Sequence, residues 1–227
     1  LVTGGLGGMG LAVARRLAER VGARLLLTSR SALPPRAEWD TWLAGHDAAD
    51  RTSQTLLALR AIETAGGEVE LAVADAADAS AMTAAVAAAR GRWGRIDAVI
   101  HAAGIAGAGQ LSALKTRAEV DAVLAPKLGG LQVLKAVLGD APLDLVVLMS
   151  SVNAVLGAAG VADYASANAV LDAFAESASV PPAWRRVVAF DWGAWREVGM
   201  AANLDVPAWR RAAWDAYLQT AIGTEDG

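Results

Sequence analysis

The chain has 227 residues, a formal net charge of −4 and no cysteine. With a hydrophobic content of 55%, it is long enough to fold as one large α/β domain. The lack of cysteine excludes disulfides, thiolate catalysis and cysteine-based zinc sites. The acidic balance argues against bulk binding of nucleic acid. The two histidines, His46 and His101, are too far apart in sequence to suggest a metal site.

The sequence carries no sign of a membrane span or of a secretion signal. No apolar run approaches the roughly 18 residues of a transmembrane helix, and no signal peptide is visible. We therefore expect a cytoplasmic protein that binds no membrane. Residues 1–3 lack an initiating methionine and resemble the end of a strand, and Thr224 resembles the cap of a further helix. We expect a piece of a longer chain, trimmed at both ends.

Apolar runs alternate with helical stretches along the chain. We predict strands at residues 1–3, 23–29, 68–74, 96–101, 145–149 and 187–190. We predict helices at residues 9–20, 52–65, 79–92, 116–138 (with Pro126 as a kink or break) and 164–177, and one or two more beyond residue 200. The alternation predicts a Rossmann-type α/β fold, a doubly wound parallel sheet with helices on both faces. Residues 1–227 then form one domain, with an insertion at about 31–52.

The first turn is rich in glycine. Residues 3–10 read TGGLGGMG and fit both G-x-G-x-x-G and T-G-x-x-x-G-x-G. Glycines at these positions let the backbone approach a pyrophosphate at a helix N-terminus. Similar turns also join strands and helices that bind nothing, so the loop needs support from other residues. Its candidate cofactor-binding residues are Thr3, Gly4, Gly5, Leu6, Gly7, Gly8 and Gly10.

The end of the second predicted strand indicates which nicotinamide nucleotide binds. An NAD site carries an acid there for the ribose 2′-hydroxyl, whereas this strand ends in Ser29 and Arg30. Arginine pairs with a 2′-phosphate, so we predict NADP(H); alternatively, Arg30 only begins a solvated loop. Asp75 and Ala76 follow the third strand, where Asp75 either accepts a hydrogen bond from adenine or caps the next turn.

The strongest signal lies between residues 101 and 168. His101, Ala102, Ala103 and Gly104 follow the fourth strand, at the edge where doubly wound sheets bind ligands. Ser151 follows the fifth strand, and Tyr164 and Asn168 are four residues apart, on one face of a predicted helix. Each of these residues alone also suits a structural role. His101 is expected to be structural rather than an acid or base.

With this pattern the chain resembles the short-chain dehydrogenase/reductase superfamily, and more closely the ketoreductase domains of modular polyketide synthases. Most of the superfamily has lysine four residues after the tyrosine. These ketoreductases have asparagine there and take the lysine from an earlier helix, 37 residues before the tyrosine. Asn168 and Lys127 match that exchange. Residues 191–195, which include Trp192 and Gly193, are similar to the family's nicotinamide-side segment, and residues at about 196–220 to its lid.

The resemblance implies that NADPH reduces a ketone, with Tyr164 as general acid. A free phenol has a pKa near about 10, and the Lys127 ammonium would stabilise the phenolate. Ser151 would donate to the substrate oxygen, and Asn168 would hold a water or position Lys127. The implied substrate is a 3-ketoacyl chain on an acyl carrier protein, with neighbouring synthase domains as further partners.

Several points stay open at this stage. The family's Leu-Asp-Asp marker is absent from residues 105–109, and the opposite class's tryptophan is Leu156 here. Product configuration is therefore undecided, with a slight preference for the Leu-Asp-Asp class. The alternatives are a free-standing reductase of a small ketone and a non-catalytic scaffold domain. Full ketoreductase domains also carry a preceding structural subdomain. We therefore expect this piece alone to be less stable than the intact domain.

Overall fold

The structure is a computed structural model, and it describes residues 1–107 and 109–227. Six parallel strands form one sheet with the order β3-β2-β1-β4-β5-β6. The strands are β1 (Val2–Thr3), β2 (Arg24–Ser29), β3 (Glu68–Val73), β4 (Ala98–His101), β5 (Leu145–Ser151) and β6 (Val187–Trp192). The predicted Rossmann-type parallel sheet is confirmed. Ala108, which belongs to the stretch without the Leu-Asp-Asp marker, lies outside the described residues.

Ten α-helices are present in the described part of the chain. They are α1 (Gly8–Val21), α2 (Trp39–Gly45), α3 (Arg51–Thr64), α4 (Ala79–Trp93), α5 (Arg117–Leu124), α6 (Gly130–Leu138), α7 (Asn153–Leu156), α8 (Ala162–Ala175), α9 (Gly199–Ala202) and α10 (Ala208–Gln219). Within residues 1–107 and 109–227, none of these helices has the length and hydrophobicity needed to cross a bilayer.

Local sequence explains where these helices begin. Asp50 and Asp78 cap α3 and α4 by accepting hydrogen bonds from backbone N–H groups of the first turn. Thr116 and Glu119 form a reciprocal capping box at the start of α5. Helix α1 differs, because its cap residue Gly7 offers no side chain. The first backbone N–H groups of α1 therefore remain available to a hydrogen-bond acceptor other than a capping side chain.

The predicted helix at residues 116–138 consists of three segments. Between α5 and α6, residues Ala125–Gly129 form a π-helical turn. Gly130 donates its N–H to the Ala125 oxygen, five residues earlier, as a π-helix requires. Pro126 lies in this turn and has no N–H to donate to the regular helical ladder. The break predicted at Pro126 is therefore a widened turn rather than a chain reversal.

The core has two parts, which lie on opposite faces of the sheet. One part packs α4, α6 and α8 against the strands through residues such as Met82, Leu134 and Leu171. The other packs α1 and α3, and it includes Trp39 from the predicted insertion, which is only 3% exposed. The insertion thus contributes to the core and does not lie only on the rim.

Strands β5 and β6 are longer at their C-terminal ends than the sequence predicts. Strands β5 and β6 end at Ser151 and Trp192 rather than at Met149 and Phe190. Their pairing includes Ser150 opposite Asp191 and Ser151 opposite Trp192. The ladder hydrogen bonds hold these polar residues in the sheet, although their side chains suggest a loop.

Candidate active site

The predicted site residues meet at the carboxyl edge of the sheet. Because all six strands are parallel, their C-terminal ends share one edge. The last residues of β1, β2, β4, β5 and β6 are Thr3, Ser29, His101, Ser151 and Trp192. The glycine loop follows β1, in the middle of the sheet. The fold therefore brings the candidate cofactor and catalytic residues to a single edge.

The glycine loop forms a close-packed cradle. Gly4 has a φ of 64°, and a Cβ there would lie 2.8 Å from the Ala103 Cα. A Cβ on Gly10 would lie 2.5 Å from the Gly4 oxygen, and one on Gly8 would lie 2.7 Å from the Gly199 nitrogen. No side chain caps α1 at Gly7, so its first N–H groups suit an anion. The loop fits a pyrophosphate.

The remaining predicted nucleotide residues follow β2 and β3. Arg30 is exposed, and it takes part in none of the ion pairs formed by the described residues. The Ser29 hydroxyl accepts a hydrogen bond from the Ser31 N–H at 3.2 Å. Asp75 accepts from the Ala77 N–H at 2.9 Å, which caps the turn after β3, and Ala76 is buried. Asp75 thus has the turn-capping role, whatever it binds in addition.

His101 is a buried structural residue. Its Nε2 lies 3.2 Å from the Lys127 carbonyl oxygen, which can only accept, so Nε2 carries the proton. Its Nδ1 then accepts from the Thr3 hydroxyl at 2.7 Å. Burial, assisted by the Lys127 charge, lowers the pKa of His101 to about 4. The imidazole is therefore neutral at pH 7 and ties β1 and β4 to the Lys127 turn.

The π-helical turn carries Lys127 into the interior. Its side chain is 4% exposed, and its Nζ donates to the Met149 carbonyl oxygen at 2.6 Å. A Cβ on Gly104 would lie 3.1 Å from the Lys127 Cε, so this glycine allows a close approach of the lysine side chain. Burial lowers the pKa of Lys127 to about 8, against the opposing effect of the Asp172 carboxylate. At pH 7 the group remains mainly an ammonium ion.

Ser151, Tyr164 and Asn168 complete the predicted catalytic set. Ser151 is 6% exposed, and its Oγ accepts from the Asn153 N–H at 3.3 Å. Tyr164 lies half-buried in the first turn of α8. The fully buried Asn168 donates its Nδ2 to the Tyr164 carbonyl oxygen at 2.7 Å. Its Oδ1 has no partner among the described residues, so this buried acceptor suits a bound water.

Trp192 and Gly193 lie at the end of β6. The Trp192 indole donates to the Met149 sulfur at 3.3 Å and stands edge-on to Trp195, with 5.1 Å between ring centroids. Gly193 is half-buried, and among the described residues a Cβ there would approach only the Ile222 side chain, at 3.8 Å. The tryptophan is thereby fixed beside β5, and the glycine leaves the neighbouring space open.

Sequence reasoning missed Asp172, which lies on α8 and whose charge acts on Lys127. It follows Asn168 by four residues and Tyr164 by eight, so the three share a face of α8. Burial raises the pKa of its carboxyl, and the neighbouring carboxylate of Asp191 raises it further. The spacing of four residues between Tyr164, Asn168 and Asp172 could have identified Asp172 from the sequence, because it puts the three on one helix face. This half-buried acid acts electrostatically on the Lys127 ammonium.

A known family matches most of the chain. The KR domain family matches residues 1–197, which include the glycine loop and the whole catalytic set. The chain belongs to the ketoreductase domain family. The predicted relationship to polyketide synthase ketoreductases is confirmed, because the relatives below are polyketide synthases or their domains.

Two relatives and one solved structure illustrate the similarity. The 6-methylsalicylic acid synthase of Aspergillus terreus is 43% identical over 211 residues, covering 90% of this chain and 11% of that protein. Polyketide synthase GfsB of Streptomyces halstedii is 42% identical over 229 residues, covering 99% of this chain and 4% of that protein. A crystal structure of a ketoreductase domain from the bacillaene assembly line matches with a TM-score of 0.79 and 32% identity, covering all of this ketoreductase chain and 50% of that one. The chain thus spans about a tenth or less of these two relatives.

Proposed function

We propose that the ketoreductase chain reduces a 3-ketoacyl thioester to the 3-hydroxyacyl thioester during polyketide chain extension, using NADPH. The observation that carries this proposal is the buried Lys127 ammonium at the sheet edge where Ser151 and Tyr164 also lie. A buried cation in the turn that packs against the tyrosine's helix suits proton donation to a carbonyl oxygen. Family membership supports the same reaction class.

The residues at the carboxyl edge fit a bound NADP(H). The amides of the glycine loop and of the α1 start would hold the pyrophosphate. Arg30 would pair with the 2′-phosphate, because its guanidinium is exposed and bound to no carboxylate of the described residues. Ala102, Ala103 and Gly104 would border the nicotinamide half, because such small residues allow the backbone to run beside it. When bound, NADPH supplies the hydride.

The chain's own residues would then handle the carbonyl oxygen. The Ser151 hydroxyl would donate a hydrogen bond and polarise the carbonyl. The Tyr164 hydroxyl would transfer its proton to that oxygen, and the Lys127 ammonium would stabilise the phenolate left behind. Asn168 would hold a water at its buried Oδ1, which has no partner among the described residues.

The proposed substrate is carried by an acyl carrier protein and its phosphopantetheine arm, within a chain of several synthase domains. The supporting observation is the relatives' length, since this chain covers only 11% and 4% of the two polyketide synthases above. We propose a cytoplasmic location, in keeping with a carrier-bound substrate.

The test is NADPH consumption with a 3-ketoacyl N-acetylcysteamine thioester. We expect Tyr164→Phe to lower kcat by about 10²-fold or more, because the proton donor is lost. Tyr217→Phe is the matched control, since the chain has only two tyrosines and Tyr217 lies on α10. Equal activity of the two variants would contradict the proposal. Turnover in neither variant nor parent, also with a carrier-bound substrate, would indicate a scaffold domain.

The nucleotide preference has its own test. Arg30→Ala should raise the KM for NADPH by about tenfold or more, because a charge-assisted pair with phosphate is lost. The KM for NADH should stay unchanged. Arg24→Ala is the control, because Arg24 lies at the other end of β2 and pairs with Glu68. A similar effect on both nucleotides would argue against 2′-phosphate recognition.

A further inference from the structure

A buried ion pair lies directly beside the proposed proton donor. The Lys115 Nζ is 2.5 Å from the Asp163 Oδ1, and both side chains are 3% exposed. In the other ion pairs of the described residues, each partner is at least 30% exposed. Asp163 immediately precedes Tyr164, whereas Lys115 lies 48 residues earlier, in the segment between β4 and α5. The pair therefore joins two distant parts of the chain.

The pair also organises the backbone that leads to Tyr164. The Lys115 ammonium donates to the Gly160 carbonyl oxygen at 3.0 Å. The Asp163 Oδ1 accepts from the Tyr164 N–H at 2.9 Å. Lys115 thus holds the last residues before α8, and Asp163 holds the amide of the tyrosine itself.

Glycines let the two segments lie backbone against backbone. Gly160 has a φ of 81°, and a Cβ there would overlap the Gly109 carbonyl oxygen. Gly107 has a φ of 73°, and a Cβ there would lie 3.5 Å from the Asp163 Oδ2. Contacts at Gly107, Gly109 and Lys115 therefore join the segment after β4 to the residues just before Tyr164.

Stability alone is a poor explanation for such a pair. Removing two charges from water is costly, and apolar residues of similar size often serve stability as well or better. Burial works to raise the pKa of the Asp163 carboxyl, but the hydrogen bonds from Lys115 and from the Tyr164 amide outweigh it and hold that pKa below its usual range. The carboxylate is thus ionised at pH 7 and compensated by Lys115.

We propose that Lys115 and Asp163 are positioning residues, which set the place of Tyr164 and the spacing between the two segments that flank it. This inference rests on the proposed function, because those segments would border the bound ketone. A fixed spacing restricts the orientations in which the carbonyl can meet the phenol. Lys115 and Asp163 would therefore influence both kcat and the configuration of the product.

The test compares Lys115→Met, Asp163→Asn and the double variant with the parent protein. Each single variant leaves an unpaired buried charge or polar group and should lower the Tm. The double variant removes both charges, so its Tm should return most of the way to the parent's value. We expect the kcat of the double variant to stay about tenfold or more below the parent's. The ratio of its product enantiomers should change, whereas its Kd for NADPH should not. Lys115→Arg, which keeps the charge, should retain more of the kcat.

The matched control is the exposed pair Arg117–Asp121 on α5, whose side chains are 88% and 52% exposed. Arg117→Met with Asp121→Asn should change neither kcat nor the enantiomer ratio. A Lys115→Met/Asp163→Asn protein with parental kcat and enantiomer ratio would show that the pair is only structural.

Hydrogen exchange separates this inference from the proposed function. Without any substrate, the amides of residues 109–116 and 157–164 should exchange faster in the double variant than in the parent, in both segments together. Unchanged exchange there would overturn the inference, even if the parent reduces ketones. If the double variant exchanges faster than the parent but the parent reduces no ketone, the proposed function is overturned and the positioning role is kept.

Discussion

At the scale of single residues, neutral His101 makes the stability sensitive to acid. Its pKa is lowered to about 4 in the folded state, against about 6.5 when unfolded. Between these values the unfolded chain binds more protons, so stability is lost as the pH falls from about 6.5 through about 4. The loss from this group is on the order of 3 kcal/mol once the pH is below both values.

Urea unfolding at pH 7, 5.5 and 4.5 measures this loss. His101→Gln should remove the part of the pH dependence that comes from the buried imidazole. His46→Gln is the control, because His46 is the other histidine and is exposed. Identical pH dependence in the two variants would contradict the prediction.

Lys127 is kept charged in the interior at a cost in stability. Its pKa of about 8, against about 10.4 when unfolded, corresponds to a penalty on the order of 3 kcal/mol at pH 7. Because the folded-state pKa is lowered, this penalty is full below about pH 8 and disappears as the pH rises toward the unfolded value. Lys127→Met would remove the penalty but leave the Met149 oxygen without its donor, which costs about 1.5–3 kcal/mol.

These two effects nearly cancel in Lys127→Met. We expect the free energy of unfolding to change by less than about 2 kcal/mol, while kcat falls by about 10²-fold or more. Urea unfolding and NADPH consumption on the same preparation check both values. A loss of stability well beyond that range would mean that Lys127 serves the fold rather than the reaction.

At the scale of elements, the glycines of α1 and α4 give opposite expectations for the same substitution. A Cβ on Gly10 would lie 2.5 Å from the Gly4 oxygen and 3.0 Å from the Gly5 Cα, both backbone atoms that cannot move aside easily. Gly10→Ala should therefore destabilise the protein by about 1–3 kcal/mol and impair NADPH binding. At Gly91 in α4 a Cβ would meet no atom within 4 Å in the part of the chain that the structure describes.

Gly91→Ala should stabilise the protein by about 0.5–1 kcal/mol, because alanine loses less conformational entropy in a helix. Thermal unfolding and NADPH titration of both variants test the pair. If the Gly10→Ala variant binds NADPH with parental affinity and unfolds at the parental temperature, close packing of the glycine loop is needed neither for stability nor for NADPH binding.

Elements also show where sequence patterns stop being informative. The break at Pro126 is predictable from a side chain that removes an N–H, but the π-helical turn that buries Lys127 depends on the packing of α5, α6 and the Gly104 loop. The Asp172 position follows from helical spacing. The Lys115–Asp163 pair joins residues 48 apart, and no local pattern in the sequence links them.

At the scale of the whole molecule, alternating strands and helices suffice to predict the parallel sheet. A parallel sheet also gathers the strand ends at one edge, so the expected meeting of Thr3, His101 and Ser151 follows from topology. Less predictable was the contribution of Trp39 to the core, because its segment lacks helical or strand periodicity. Long-range packing decides such details, and a single sequence carries little of that information.

The packing also predicts a gradient of local stability from the sheet to α10. Strand β5 lies between β4 and β6 and contributes Val146 and Leu148, both fully buried. Helix α10 has no buried residue, and its Trp209 is 82% exposed. Few buried contacts mean a low free energy of local opening. Amides of α10 should therefore exchange at least about tenfold faster than those of β5.

Hydrogen exchange followed by mass spectrometry measures this gradient. Helix α8 is the internal control, because it has 14 residues against the 12 of α10 but buries Leu171 and Phe174 in the core. If helical structure alone determined protection, α8 and α10 would exchange alike, and the prediction would be wrong. If packing determines it, α8 should follow β5, and α10 should open without global unfolding. The segment after β6 would then open locally while β5 and α8 keep their protection.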